Sequence, residues 1–102
     1  MLFYLYMISS ELEEIFGEAV NEAIQGIPAV CSGLEGLKDY VNNEMDFCLG
    51  VLMATIQERY MCKLLDKRKF TKEEVLSTIP YITASIYEKI PKLKEEIKLK
   101  LT

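Results

Sequence analysis

The sequence predicts a single compact all-α domain over residues 1–102, and three observations support this class. Apolar residues recur at intervals of three and four along most of the chain, which is the period of an amphipathic helix. Two capping boxes, Ser10 with Glu13 and Thr71 with Glu74, mark helix starts. Strong β-formers are concentrated only in the first eight residues, which we predict to be a short N-terminal strand or an apolar arm packed on the domain.

The first amphipathic helix is predicted to begin near Ser10 and to end at Gly26 and Pro28, because proline cannot donate a hydrogen bond inside a continuing helix. The segment that follows carries one apolar stripe at helical spacing, formed by Ile27, Val30, Leu34, Leu37 and Val41. Residues 42 to 44, Asn-Asn-Glu, then predict a turn.

Residues 45 to 65 form the most hydrophobic stretch, and we expect a central helix that is buried on almost all sides between residues 47 and 56. The charged segment "DKRK" is predicted to be a turn. A helix then begins at Thr71, with Phe70 and Val75 at the positions of a hydrophobic staple. Pro80 and Pro91 are each predicted to break or kink the helical stripe that follows.

Two segments of the chain resemble each other at an offset of 52 residues. The stretch "EAIQGIPAVCSGL" (22 to 34) aligns with "EVLSTIPYITASI" (74 to 86), so that both contain Ile-Pro at the same place. One interpretation is an internal repeat of helix–Pro–helix units over residues 11–44 and 63–96. The other is chance similarity between two amphipathic helices.

Charge is divided unevenly along the chain. Residues 1–62 contain two basic and ten acidic groups, a net charge of −8, whereas residues 63–102 contain ten basic and six acidic groups, a net charge of +4; together these give the total of −4. Such a division predicts either that the two halves attract each other or that the C-terminal half binds an acidic partner.

Several functional classes are excluded by residue content. The chain has no histidine and no glycine-rich phosphate loop, so we expect no catalysis, no cofactor and no metal. The apolar run at the start is eight residues, too short to span a bilayer, so no membrane partner is expected. Three cysteines without a close pair in the sequence are interpreted as small buried apolar residues in a reducing cytoplasm.

Residues 63 to 96 resemble the helix-turn-helix core of winged-helix DNA-binding domains. The resemblance lies in Leu64-Leu65, the Thr71 cap, and the small–aliphatic–Tyr stretch Ser85-Ile86-Tyr87. It implies that a helix beginning near Ile82 enters the major groove of DNA. The DNA-binding residues implied by this resemblance are Lys67, Arg68, Lys69, Lys72, Thr83 and Ser85.

The alternative, which we prefer, is a small non-enzymatic module that binds a protein or peptide in a groove between two helix pairs, and that forms a homodimer. It is preferred because the outward positions of the second helix contain no Arg, Asn or Gln to read a base edge. The predicted partner-binding residues are Ile27, Val30, Leu34, Ile79, Ile82 and Ile86. In composition, rich in Lys, Glu, Ile and Tyr, the chain resembles small proteins of hyperthermophilic archaeal viruses, which implies the cytoplasm of a host cell.

Overall fold

The fold is described from a computed structural model that covers residues 2–66 and 70–101, with side chains from residue 10 onward. Over these ranges the backbone forms five α-helices and one 3-10 helix, and it contains no strand. The all-α class is confirmed. The α-helices are α1 (Leu2–Gln25), α2 (Ile27–Leu34), α3 (Glu44–Asp66), α4 (Lys72–Ser77) and α5 (Ile79–Leu101), and the 3-10 helix spans Glu35–Tyr40.

The N-terminal stretch is helical, so the predicted strand is wrong. α1 begins at Leu2 and continues through Ser10, which is therefore an interior residue and not the cap of a new helix. A short apolar run cannot be assigned to strand or helix by periodicity alone. Joining α1 provides hydrogen-bond partners within the same helix, whereas a strand requires a neighbouring strand.

Two sharp corners, between α1 and α2 and between α4 and α5, have almost the same backbone geometry. One residue separates the helices at each corner: Gly26 with φ −82° and ψ −6°, and Thr78 with φ −85° and ψ −8°. The carbonyl of each accepts a hydrogen bond from the N–H four residues later, Val30 at 3.1 Å and Ile82 at 3.0 Å. The two similar sequences thus adopt the same local structure, while their origin as a repeat stays a prediction.

Proline affects the two corners and the middle of α5 differently. Pro28 and Pro80 are the second residues of α2 and α5, where the missing N–H has no partner within the helix. Pro91 lies inside α5, which continues to Leu101, so a break at this residue is wrong, while the alternative of a kink stays a prediction. The buried Leu93 and Ile97 beyond it keep that end of α5 on the core.

We expect Gly26→Ala to raise the free energy of unfolding by about 0.4 to 1 kcal/mol, because alanine restricts the unfolded chain more than glycine does. The φ of Gly26 is negative and suits any residue, and an added Cβ would lie 3.4 Å from the Ala23 carbonyl oxygen, an ordinary contact. Urea denaturation measures the change. A loss of stability would show that the first corner requires glycine.

The segment after the first corner is not one continuous helix. α2 ends at Leu34 and the 3-10 helix follows it to Tyr40. Because a 3-10 helix has three residues per turn, the predicted α-helical stripe is lost at this point. Leu37, which the stripe placed on the buried face, is 41% exposed. The chain bends at Asn42, within the turn predicted at residues 42 to 44, but Glu44 is already the first residue of α3. The Asn43 side chain accepts a hydrogen bond from the Asp46 N–H at 2.9 Å.

α3 is the central element, since it packs against α1, α2, α4 and α5. One face is fully buried, and its residues recur every four positions: Cys48, Leu52, Ile56, Tyr60 and Leu64. The prediction that the helix is buried on nearly all sides is wrong, because Gly50 and Ala54 are exposed. Beside its buried face, α3 therefore carries a second stripe that the fold covers in part: Phe47 and Met61 pack against the core, whereas Gly50, Ala54 and Leu65 are exposed.

The capping box that begins α4 is confirmed. The Thr71 hydroxyl accepts a hydrogen bond from the Glu74 N–H at 3.1 Å, and the Glu74 carboxylate accepts one from the Thr71 N–H at 3.0 Å. Val75 is buried, and Phe70 packs against the core. This cap fixes the direction in which the chain enters the second corner.

Candidate interaction surface

The residues predicted to bind a partner lie mostly in the core. Ile27, Leu34, Ile82 and Ile86 are each 3% exposed or less, and only Val30 and Ile79 are half-buried. These residues belong to α2 and α5, which pack against each other. The predicted partner-binding groove is therefore wrong. The two similar segments leave no open groove between them, because their apolar stripes cover each other.

Of the residues implied by the helix-turn-helix resemblance, Lys72, Thr83 and Ser85 are described by the structure, and they lie on two different helices. Lys72 is exposed at the first position of α4, while Ser85 is half-buried on α5. Thr83 is half-buried and lines a depression between α3 and α5. A single residue separates α4 from α5, compared with the three or four residues of the usual turn. Lys67, Arg68 and Lys69 lie outside the described residues.

The exposed side of α3 carries a groove with a volume of about 500 Å³. The residues that line it lie three or four positions apart along the helix: Ala54, Gln57, Glu58, Met61, Cys62 and Leu65. Leu65, at one end, is 45% exposed. Only one of these side chains is charged, so the groove is an apolar surface with a polar margin.

A second depression, with a volume of about 270 Å³, lies between α3 and α5. Its lining residues are Met53, Ala54, Gln57, Thr83, Ile86 and Tyr87. Ala54 and Gln57 line both depressions, which are therefore adjacent, and we call the two together the α3 groove. Tyr87, on its α5 side, is 59% exposed. The α3 groove is the candidate functional site.

Sequence patterns contain a signal for this site that the prediction did not use. Phe47, Gly50, Ala54, Gln57 and Met61 recur at intervals of three and four, on a second stripe of α3 beside its buried face. Two apolar stripes on one helix predict two packing partners. The prediction of a helix buried on almost all sides between residues 47 and 56 instead places Gly50 and Ala54 of this stripe in the core.

The three cysteines have different surroundings, and each is a free thiol. Cys48 is 1% exposed on α3, Cys31 is half-buried on α2, and Cys62 is exposed in the α3 groove. Burial raises the pKa of the Cys48 thiol, and the adjacent Cys31 side chain raises it further. The expectation of buried apolar cysteines therefore holds for Cys48 and fails for Cys62. In the described part of the chain, no group of three His, Cys, Asp or Glu residues is placed to bind a metal.

An ion-pair network joins α1 to α3. The Lys63 ammonium donates a hydrogen bond to the Glu22 carboxylate at 2.9 Å and lies 3.5 Å from Glu18, while Arg59 lies 3.7 Å from Glu22. The hydrogen bond from Lys63 lowers the pKa of Glu22, and the same bond raises the pKa of Lys63. Opposite charges from the two halves of the sequence thus meet within one molecule.

We expect Glu22→Gln to lower stability near neutral pH and to have little effect at acid pH. A glutamate whose pKa is lowered by folding stabilises the fold above its unfolded pKa of about 4.3, and this contribution is lost as the pH falls through the acid range. The contribution of Lys63 to stability has the opposite pH dependence, because folding raises its pKa. It is present below the unfolded pKa of about 10.4 and is lost as the pH rises above that value. Urea denaturation of the original protein and of Glu22→Gln, from acid to neutral pH, measures the difference in their free energies of unfolding. Added salt should also reduce this difference. A difference independent of pH would contradict the ion-pair account.

Comparison of this chain with protein-family models, with curated proteins and with solved structures finds no match. Among the described residues, no helix has both the length and the apolar character needed to cross a membrane.

Proposed function

We propose that this protein is a non-enzymatic protein–protein interaction module that binds an apolar helix in the α3 groove. One observation carries the proposal: beside its buried face, α3 carries an apolar groove in which Ala54, Cys62 and Leu65 are exposed. Exposed apolar surface of this kind, with a polar margin, is typical of interaction sites. Leu65 and Tyr87, which are 45% and 59% exposed, lie at its edges.

A helix is the occupant that fits the groove best. From Met53 to Leu65 the lining residues extend over twelve positions of α3, about 18 Å along the helix axis. An amphipathic helix of similar length presents anchors at positions i, i+3 or i+4, and i+7 along such a groove. Met53 and Met61 provide flexible side chains that adapt to the shape of a partner.

The chemistry of the groove supports binding without catalysis. Its residues include one carboxylate, Glu58, and one thiol, Cys62, with no histidine anywhere in the chain to act as a base. General acid–base catalysis needs a titratable group within hydrogen-bond reach of the group that it activates. The groove offers apolar contact area instead.

The proposal is tested by affinity capture with Ala54→Glu, which places a charge in the middle of the groove. Ala54 is exposed, so the variant is expected to fold. Tyr40→Glu is the matched control, because Tyr40 is 84% exposed on the 3-10 helix and does not line the groove. Bound proteins, including untagged copies of the chain itself, are quantified by mass spectrometry from the cells that naturally produce it.

We expect at least one bound protein to be lost with Ala54→Glu and kept with Tyr40→Glu. Identical capture by the original chain and Ala54→Glu would reject the groove as the binding site. DNA binding remains the alternative prediction, and a gel shift at two salt concentrations addresses it. Retention of duplex DNA that falls steeply with salt would favour that alternative over the interaction module.

A further inference from the structure

We infer that Cys31 and Cys48 form a reversible disulfide site, which ties α2 to α3 when the chain meets a low-molecular-weight disulfide. The observation behind it is that the two thiols meet where α2 packs against α3, and a hydrogen bond joins them. Neither thiol lines the α3 groove, so the site goes beyond the proposed function and does not depend on it.

The fold brings the two thiols together from two helices. Position 31 lies four residues after Ile27 and three before Leu34, so it shares the side of α2 on which both of these residues are buried. The Cys31 side chain packs against the core, and Cys48 is the first buried residue of α3. Packing of the two helices therefore holds the sulfur atoms next to each other in the native state.

The bond would close a loop that the core holds weakly. Cys31 and Cys48 are 17 positions apart, and the 3-10 helix lies between them. This helix contributes no buried residue, and its Leu37 and Tyr40 are 41% and 84% exposed. A disulfide between α2 and α3 would thus fasten the 3-10 helix at both of its ends.

Geometry excludes the third thiol from this site. Cys62 lies 14 positions after Cys48 on the same helix, which places it about 21 Å away along the axis. A disulfide requires Cα atoms within about 7 Å of each other. Because Cys31 lies beside Cys48, Cys62 is beyond the reach of both, and Cys31–Cys48 is the pairing that the fold allows.

The bond would form by thiol–disulfide exchange with a small disulfide, RSSR. Cys31 is half-buried whereas Cys48 is 1% exposed, so Cys31 reacts first. Its thiolate attacks one sulfur of RSSR, the S–S bond of RSSR breaks, and the thiolate that leaves takes a proton to become RSH. Cys48 then loses its proton and attacks the Cys31 sulfur, which releases the second RSH. The protein gives up two electrons and two protons, and RSSR is reduced to two RSH.

The surroundings of Cys48 make the second step the slower one. Burial raises the pKa of the Cys48 thiol, and the neighbouring Cys31 raises it further. Because the thiolate is the form that attacks, a thiol of raised pKa closes the bond more slowly than an exposed thiol would. A reducing thiol pool keeps such a pair open, so the site responds to oxidation and not to ordinary cytoplasmic conditions.

Peptide mapping of the folded Cys62→Ser chain tests the pairing. Cys62 is exposed, so this background keeps the fold and removes the third thiol. After treatment with oxidised glutathione and alkylation of the remaining thiols, trypsin cleaves at Lys38 and Arg59 and separates peptide 1–38 from peptide 39–59. We expect these two peptides to be joined by a bond that a reductant breaks. Two alkylated cysteines, or glutathione held on Cys31 without the link, would overturn the inference.

The order of reaction is tested with Cys31→Ser in the same background. Cys48 is then the remaining thiol, and we expect it to stay free of glutathione because its side chain is buried. Circular dichroism verifies that the variant is folded. Rapid modification of Cys48 in the folded variant would show that Cys31 is not the entry point and would reject the site as described.

Thermal denaturation tests whether the bond fits the native fold. We expect the linked Cys62→Ser chain to melt roughly 10 °C above its reduced form, because the closed loop restricts the unfolded chain. The Cys31→Ser variant in the same background, treated with oxidised glutathione in the same way, should show no shift. A lower melting temperature for the linked chain would show that the bond disturbs the packing of α2 on α3, and it would also overturn the inference.

Discussion

Replacing Pro91 with alanine is expected to raise the free energy of unfolding by as much as about 3 kcal/mol. Pro91 lies inside α5 and has an exposed side chain, so the substitution removes little packing. Alanine restores an N–H that can donate to the carbonyl of Tyr87, four residues earlier, and it relieves the contact between that carbonyl and the proline ring. Urea denaturation of the two chains measures the gain.

Pro80→Ala is the matched control for this prediction. Pro80 is also exposed, but it is the second residue of α5, where its missing N–H costs no hydrogen bond. We expect Pro80→Ala to lower stability by about 0.4 to 1 kcal/mol, because the unfolded chain becomes less restricted. Equal effects at the two positions would show that α5 is not a continuous helix at Pro91.

Tyr60→Ala is expected to lower the free energy of unfolding by about 3 to 5 kcal/mol, a large fraction of the stability of a domain of this size. Tyr60 is fully buried on the inner face of α3, and its ring packs edge-to-face against Phe16 of α1, with 6.5 Å between ring centroids. Alanine would leave a cavity where α1 and α3 meet. Thermal and urea denaturation both report the loss.

Tyr60→Phe, in contrast, should raise the free energy of unfolding by about 1 kcal/mol. The Tyr60 hydroxyl is buried and has no hydrogen-bond partner. The nearby Thr78 hydroxyl donates its hydrogen bond to the Val75 carbonyl oxygen, at 2.6 Å. Burial of the hydroxyl raises the pKa of Tyr60. Phenylalanine keeps the ring and removes the unpaired oxygen. A loss of stability would show that Thr78 accepts a hydrogen bond from Tyr60.

The parts of the fold that could be predicted from the sequence depend on residues close together in the chain. The cap formed by Thr71 and Glu74 and the end of the first helix at Gly26 are both present in the structure. Each is determined by local chemistry, because a capping side chain or a proline acts on backbone groups within three or four residues. The helical class followed from the same short-range pattern.

What could not be predicted depends on which surfaces meet. An apolar stripe identifies the face of a helix that avoids water, but it does not identify what covers that face. Ile82 and Ile86 were therefore predicted to bind a partner, whereas α2 and α3 cover them within the same chain. Gly50 and Ala54 were assigned to the core for the same reason. The candidate site was missed because it lies on the second stripe of a helix that appeared uniformly buried.

The two corners have a consequence for the order in which the chain folds. The hydrogen bonds that close them, such as Thr78 N–H to the Val75 carbonyl and Ile82 N–H to the Thr78 carbonyl, join residues three or four positions apart. Contacts of such short sequence separation carry a small loop-closure cost and form quickly. We therefore expect the α1–α2 and α4–α5 corners to form early, and the docking of both pairs onto α3 to be the slower step.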